Sequence, residues 1–300
     1  MNALREPLLF LAILAAAVGC ATNRSVHHMR AAIHTELREQ QSGQLTPEQE
    51  VLLEELCPFG RPIAQPDAGL GFTELVVREG YALEHSGDLK IPLWVCQRMD
   101  ASKLNGQFDR KDDFRVDPEL DGPRSELSDY KGSGYARGHH APAEDFSQSK
   151  ERMSESFFLS NMSPQLGAVN SGAWANLEKR TRKWVAEDAA TWIITGALLY
   201  DPEEDDPATA DGWIKYFTIG AGVAVPTHLF KIVVGEGPTG AVTTTSYVVP
   251  NAKLPIGYRI DDYRKPIRWI EQRSGFDFMP DLDPGDALDL EESLGEARSP

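Results

Sequence analysis

Three hundred residues, 41% apolar and 25% charged, are ample chain for one large domain with a buried core, and they carry no collagen-like or low-complexity bias. The formal net charge of −16 speaks at first against a nucleic-acid partner. The charge is uneven, however: residues 110–183 hold twelve Lys/Arg against twelve Asp/Glu, and the excess acid lies in DPEEDD (201–206) and from Asp277 to Glu296, so a polyanionic substrate is not excluded.

The chain opens with MNALREPLLFLAILAAAVGC: a short charged start, an apolar run from Leu8 to Val18, and small residues before Cys20. The run is too short to span a membrane comfortably and reads as a secretory signal over residues 1–20. AVGC resembles a bacterial lipobox, in which Cys20 becomes the lipidated first residue. A plain signal peptide cut elsewhere and an uncleaved anchor are the alternatives. Lipidation would tie the protein to a membrane through acyl chains, as a periplasmic or outer-membrane-anchored lipoprotein of a Gram-negative bacterium. Cys57 and Cys96 then remain. In an oxidising compartment they invite one disulfide, with two buried free thiols as the equal alternative.

Residues 21–53 are polar and read as a tether running into a helix at TPEQEVLLEEL, where Thr46 suits an N-cap and Gln49 the answering position of a capping box. Residues 54–284 read as one domain. FTELVVREGYALEHS (72–86), a turn at Gly87-Asp88, and LKIPLWVCQRM (89–99) predict two strands, and residues 100–134 predict irregular loop. SFFLSNM predicts a short strand. The best helix runs from Asn170 to about Ala189, with Trp174, Leu177, Trp184 and Val185 as its apolar stripe. TWIITGALLY, VAVPTHLFKIVVG and TTTSYVVP predict further strands with prolines at ends or edges, and residues 265–273 a second helix. The stretch 285–300 is acidic and predicts disorder. This order gives an α+β fold with a central, mostly antiparallel sheet flanked by helices.

YARGHHAPAED (135–145) concentrates the chemistry. Adjacent histidines on an extended segment face opposite ways, so His139 and His140 are a poor chelate, and no further ligands stand at zinc spacing. No G-x-S-x-G elbow, P-loop or Rossmann glycine pattern is present. For any single histidine a structural role is the bland alternative.

About thirty residues after His139 comes NSGAWANLEKRTRKW, with FLSNMSPQ between. Arg137-Gly138-His139, Pro142, and then Asn170, Trp174 and Glu178 at four-residue steps resemble the signature of the DNA/RNA non-specific endonuclease family, the endonuclease G-like ββα-metal or His-Me finger nucleases. The likeness runs over roughly 57–284 and takes in FGRP, NMSPQ, TGALLY, VPTHLFKIVV and YRKPIRWIEQRSGFDFMPDL.

The resemblance implies a ββα-metal nuclease fold and a Mg²⁺-dependent, sequence-non-specific endonuclease for DNA and RNA, leaving 5′-phosphate and 3′-hydroxyl ends. Mn²⁺ would be able to substitute, and a homodimer is compatible. His139 would be the general base, its other ring nitrogen held by a carbonyl or side chain, and a neutral histidine suits that task near pH 7. Asn170 would be the one direct protein ligand of a metal that keeps its waters, with Glu178 hydrogen-bonded to them. Arg137, Arg182 and, if one residue is inserted, Arg110 would hold the phosphate. Asn161 would support the site, whereas His140 falls at a variable position and is expected to be exposed and dispensable. Many members carry Asp before Arg-Gly-His; here it is Ala136, so any metal contribution from that Asp is absent. The plain readings are an N-cap for Asn170 and a surface ion pair for Glu178 and Arg182. Two rivals stand beside the nuclease. One is a catalytically silent nuclease-fold envelope lipoprotein acting as a binding module, which the −16 charge favours; the other is a metal-dependent phosphodiesterase for small nucleotides.

Overall fold

The computed structural model describes residues 45–65, 68, 70–205 and 214–294; Cys20 and the signal segment lie outside the described residues. The chain divides into Met1–Thr46 and a body, Pro47–Pro300, to which all the following elements belong. They are α1 (Pro47–Leu56), β1 (Ile63–Ala64), β2 (Thr73–Val77), β3 (Ala82–Ser86), β4 (Ile91–Met99), α2 (Leu127–Tyr130), β5 (Tyr135–His139), α3 (Lys150–Glu155), β6 (Met162–Leu166), α4 (Ala175–Glu187), β7 (Ala190–Leu198), β8 (Phe217–Ile219), β9 (Val223–Val225), β10 (His228–Glu236), β11 (Val242–Pro250), α5 (Ile267–Ser274), β12 (Phe276–Asp277) and α6 (Pro284–Glu292). No helix among the described residues is long and apolar enough to cross a membrane.

Six strands form an antiparallel sheet in the order β11-β10-β7-β4-β3-β2. The strands β7 and β10 are rich in β-branched and apolar residues and are covered on both faces. Side chains alternate across a strand, so Leu229, Lys231 and Val233 share one face of β10. There Leu229 and Val233 pack with Trp174, Leu177, Trp184, Tyr247 and Val249, which seats α4 on the sheet. On the opposite face Phe230 meets Phe278, ring centres 5.2 Å apart.

A separate hairpin, β5–β6, leads through a short π-turn into α4 and so makes a ββα unit. The connection between its two strands is anchored to the main sheet: Ala141, Ala143, Phe146 and Phe157 pack against Val76, Leu83 and Val95.

Three local expectations need correction. Residues 72–86 are not one strand but the hairpin β2–β3, closed where the Arg78 N–H donates to the Tyr81 carbonyl at 2.9 Å. SFFLSNM is largely a 3-10 turn over Leu159–Asn161, and the strand begins only at Met162. Within β4, Pro92 faces His85, where a register shift between Glu84 and His85 relaxes the ladder. Finally, the stretch Pro284–Glu292 of the acidic tail is a helix rather than disordered chain. Asp283 accepts from the Gly285 N–H, Pro284 sits in the first turn, the Thr244 hydroxyl donates to the Leu290 carbonyl, and Arg268 pairs with Glu291. Together these dock α6.

Cys57, just after α1, and Cys96, in β4, are both buried and form no disulfide in this structure. Burial raises the Cys96 thiol well above its ordinary value, and its hydrogen bond with Cys57 adds to the rise.

Candidate active site

His139 ends β5 opposite Met162, and Gly138 lies opposite Ser163. A Cβ on Gly138 would stand 2.0 Å from the Gln165 side chain, so any larger residue here would have to push that side chain aside. The His139 ring is 7% exposed and bracketed by Phe114 (5.7 Å) and Phe157 (4.9 Å, nearly perpendicular). Its Nε2 is sealed from solvent without a hydrogen-bond partner, so the aromatic bracket rather than an acceptor on Nε2 holds the ring. Arg137 lies over Phe114 at 4.0 Å. Arg110 lies over Phe157 at 5.2 Å, with 56% of its side chain exposed and an ion pair to Asp112 at 3.0 Å. Burial, then the charges of Arg110 and Arg137, lower the His139 pKa to about 3. The ring is therefore neutral at pH 7, as a general base must be.

His140 is not exposed as expected. It is fully buried, and its Nε2 lies 2.9 Å from the Ser163 hydroxyl. Burial, with smaller contributions from Lys231 and His139, lowers its pKa to about 3. A side chain facing away from His139 on this hairpin points into the protein, because the main sheet lies behind it. Asn161 is also fully buried. Its amide donates to the Ala141 and Ser156 carbonyls and accepts from the Ala141 N–H, each at 2.9 Å. All its bonds go to the backbone, so it shapes the turn after the histidines.

Asn170 lies inside the π-turn Val169–Trp174. The N-cap position is Ala168, so Asn170 is not the cap the plain reading gave it. It is half-buried, and its amide makes no hydrogen bond among the described residues. π-Turns within helices recur at functional sites. Glu178, eight residues on, is raised above the usual carboxylate range by burial and by the Asp145 and Glu144 charges, against the opposing pull of Lys231 and Arg182. Arg182 does not pair with Glu178; its two arms meet Asp145 and Glu144, both at 2.8 Å.

The family described as DNA/RNA non-specific endonuclease matches residues 60–284, which include the hairpin, the π-turn and α4. The chain belongs to this family. Human mitochondrial endonuclease G is 35% identical over 231 residues, 76% of this chain and 74% of that protein. The mitochondrial nuclease of Saccharomyces cerevisiae is 33% identical over 222 residues, 70% of this chain and 67% of that protein. A crystal structure of an EndoG/EndoGI complex, described as showing the mechanism of EndoG inhibition, matches with a TM-score of 0.69 at 30% identity, over 80% of this chain and 95% of that one. The protein is thus a nuclease with the ββα-metal fold.

The family is divalent-metal dependent, and the nuclease's own residues fit a particular kind of ion. The site offers an unengaged amide on Asn170 and a carboxylate on Glu178. The sole group of three His, Cys, Asp or Glu donors close enough to share an ion, among the described residues, is Glu271, Asp277 and Glu291, elsewhere in the molecule. Such a sparse donor set suits a hard cation that keeps most of its waters, not zinc.

Sequence reasoning missed the aromatic bracket of Phe114 and Phe157, and the buried polar residues beneath the nuclease site: Gln97, Asp145 and Lys231. Lys231 donates to the Thr195 hydroxyl at 2.8 Å and lies 5.1 Å from the Trp174 ring centre. A lysine inside the apolar run HLFKIVV was the available signal for it.

Proposed function

We propose that the protein is an exported, lipid-anchored, Mg²⁺-dependent endonuclease that hydrolyses DNA and RNA phosphodiesters without sequence preference. The observation that carries this reading is the neutral, aromatic-bracketed His139 beside Arg137 and Arg110. Because Nε2 is sealed from solvent, the proton of the attacking water goes to Nδ1. The water oxygen bonds to phosphorus as the bond to the leaving 3′-oxygen breaks. Arg137 and Arg110 hold the phosphate, gripping backbone rather than base edges. Burial and, to a smaller extent, the two arginine charges lower the basicity of His139, and a bound phosphate would offset the part that the charges contribute. Asn170 would be the direct protein ligand of Mg²⁺, for which Mn²⁺ can stand in, and Glu178 would order its waters. When bound, the metal supplies charge stabilisation at the phosphate and the leaving oxygen. Anchoring through Cys20 and a periplasmic location rest on the N-terminal sequence alone, since the relatives compared are mitochondrial nucleases.

The test is a gel assay of supercoiled plasmid and of RNA with Mg²⁺, with EDTA, and with His139→Ala. Mg²⁺-dependent nicking and smearing that vanish in both controls are expected. Folded protein that cuts neither substrate with Mg²⁺ or Mn²⁺ would replace the enzyme by a binding module.

A further inference from the structure

The family resemblance puts Arg182 on the substrate phosphate, yet the guanidinium is turned toward the loop that follows His139. Its Nη1 meets Asp145 Oδ1 and its Nη2 meets Glu144 Oε2, both at 2.8 Å. The other oxygen of Asp145 accepts from Gln97 Nε2 at 2.7 Å. The Asp145 side chain is 4% exposed and Gln97 is 2% exposed. A single carboxylate therefore joins three elements: the loop leaving β5, the helix α4, and the central strand β4.

We propose that Asp145 and Arg182 are a positioning pair, which fixes the strand end carrying His139 against the π-turn and helix that carry Asn170 and Glu178. The proposal rests on the nuclease reading with His139 as base, and deepens it. A guanidinium already forked onto two carboxylates has little net charge left for a phosphate, and only 17% of the Arg182 side chain is exposed against 56% for Arg110. The bonds it does make are charge-assisted and close to ideal length, the kind that fixes geometry. Base and metal ligand sit on different elements, β5 and the π-turn leading into α4. Their relative placement depends on whatever ties the two together, and a displacement of about 1 Å in an active site can cost roughly a hundredfold in rate. Gln97 completes the tie from the sheet, reaching Asp145 from the face of β4 that also bears Val95.

The experiment is steady-state cleavage of a defined duplex by the full chain across a salt series, for Asp145→Asn, Arg182→Met, the double variant, and Gln97→Met. Melting curves confirm that each variant is folded at the assay temperature. Positioning predicts that kcat falls about tenfold or more in both single variants while KM stays within about threefold. The double variant should be no worse than the poorer single, because the two residues act as one unit. The slope of log KM against log salt should not change, since no phosphate contact is lost. Gln97→Met, which alters no group a substrate can reach, should lose several-fold in kcat. It also serves if Asp145→Asn does not fold. The proposal is overturned if Arg182→Met raises KM and lowers the salt slope by about one while Asp145→Asn and Gln97→Met turn over normally. Should the folded wild type cut nothing, the nuclease reading fails on its own account. Hydrogen exchange then decides the tie: faster exchange across residues 140–146 in Asp145→Asn and Arg182→Met upholds it, and unchanged exchange removes it.

Discussion

The two sides of the β5–β6 hairpin differ in how their polar groups are used. Toward Phe114 and Phe157 there is a sealed His139 nitrogen without a partner, with two arginines lying over the rings; further along the chain, the Asn170 amide is unengaged. On the inner side Asn161 commits its amide to three backbone bonds and both oxygens of Asp145 are occupied, while His140 Nδ1 and the Gln165 amide are buried without partners. Unmade bonds in a folded protein carry a cost, and on the side of His139 and Asn170 a substrate, a water and a metal would supply the missing partners. The engaged side supports the open one. Adjacent histidines with nearly the same proton affinity therefore have different work, and proton affinity alone would not separate them.

The sharpest way to break this comparison is to exchange the fates of the two histidines. His139→Ala is expected to lose at least about a hundredfold in cleavage rate while remaining folded, the usual scale for a missing general base. His140→Ala should lose stability first and activity only in proportion to unfolding. A rate collapse confined to His140→Ala, with His139→Ala near wild type, would invert the assignment. Next in size is Asn170→Ala. Calorimetric titration with Mn²⁺ should show binding weakened by about tenfold or more, on the scale seen when a metal site loses a supporting group, with the melting temperature in EDTA little changed. Equal affinity for both proteins would remove Asn170 from the metal site.

Much of this was readable from the chain because the hairpin, turn and helix follow one another locally. Arg137-Gly138-His139 and the Asn170–Trp174–Glu178 spacing lie on adjacent elements, so their order along the sequence preserves their order in space. The long helix and the strands β7, β10 and β11 were legible for the ordinary reason that their periodicity is strong. What was not legible depends on distant partners. His140 was expected at the surface because nothing local announces Ser163 or the sheet behind it. Arg182 was expected on the phosphate because its carboxylate partners lie some forty residues earlier. The acidic tail was expected to be disordered because Thr244 and Arg268, which dock it, lie on other elements. Composition reports what a segment is made of, and long-range pairing decides where it goes.

The engaged side should show itself in stability rather than rate. Asn161→Ala leaves the Ala141 N–H and two carbonyls without their bonds in a fully buried turn. Each orphaned group costs about 1–3 kcal/mol, so urea denaturation should register a loss of about 3 kcal/mol. A loss below about 1 kcal/mol would show the turn to be held by something else. Gly138→Ala, which meets the Gln165 side chain at 2.0 Å, should cost about 1–3 kcal/mol by overpacking.

The smallest effect is a dependence on pH. His140 is held neutral in the fold with its pKa lowered to about 3, while in the unfolded chain it titrates near 6.5. Below pH 6.5 the unfolded state takes up a proton that the folded state refuses, so the stability contributed by this group is complete above about 6.5 and drains away as the pH falls toward 3. His85, His139 and His228, lowered to about 4, 3 and 4, act in the same direction. Glu271, raised to about 8 by burial and by the Glu291 charge, acts in the opposite direction between about pH 8 and 4.5, because protonation favours its buried form. The total slope mixes these groups, so the informative quantity is a difference between proteins. Wild type should lose stability faster than His140→Gln between pH 6 and 4, by about 1.4 kcal/mol per pH unit for the one proton that distinguishes them. Parallel curves in urea at pH 7, 6, 5 and 4 would mean that His140 opens to water before the protein unfolds, and the inner side of the hairpin would then be less closed than its packing shows.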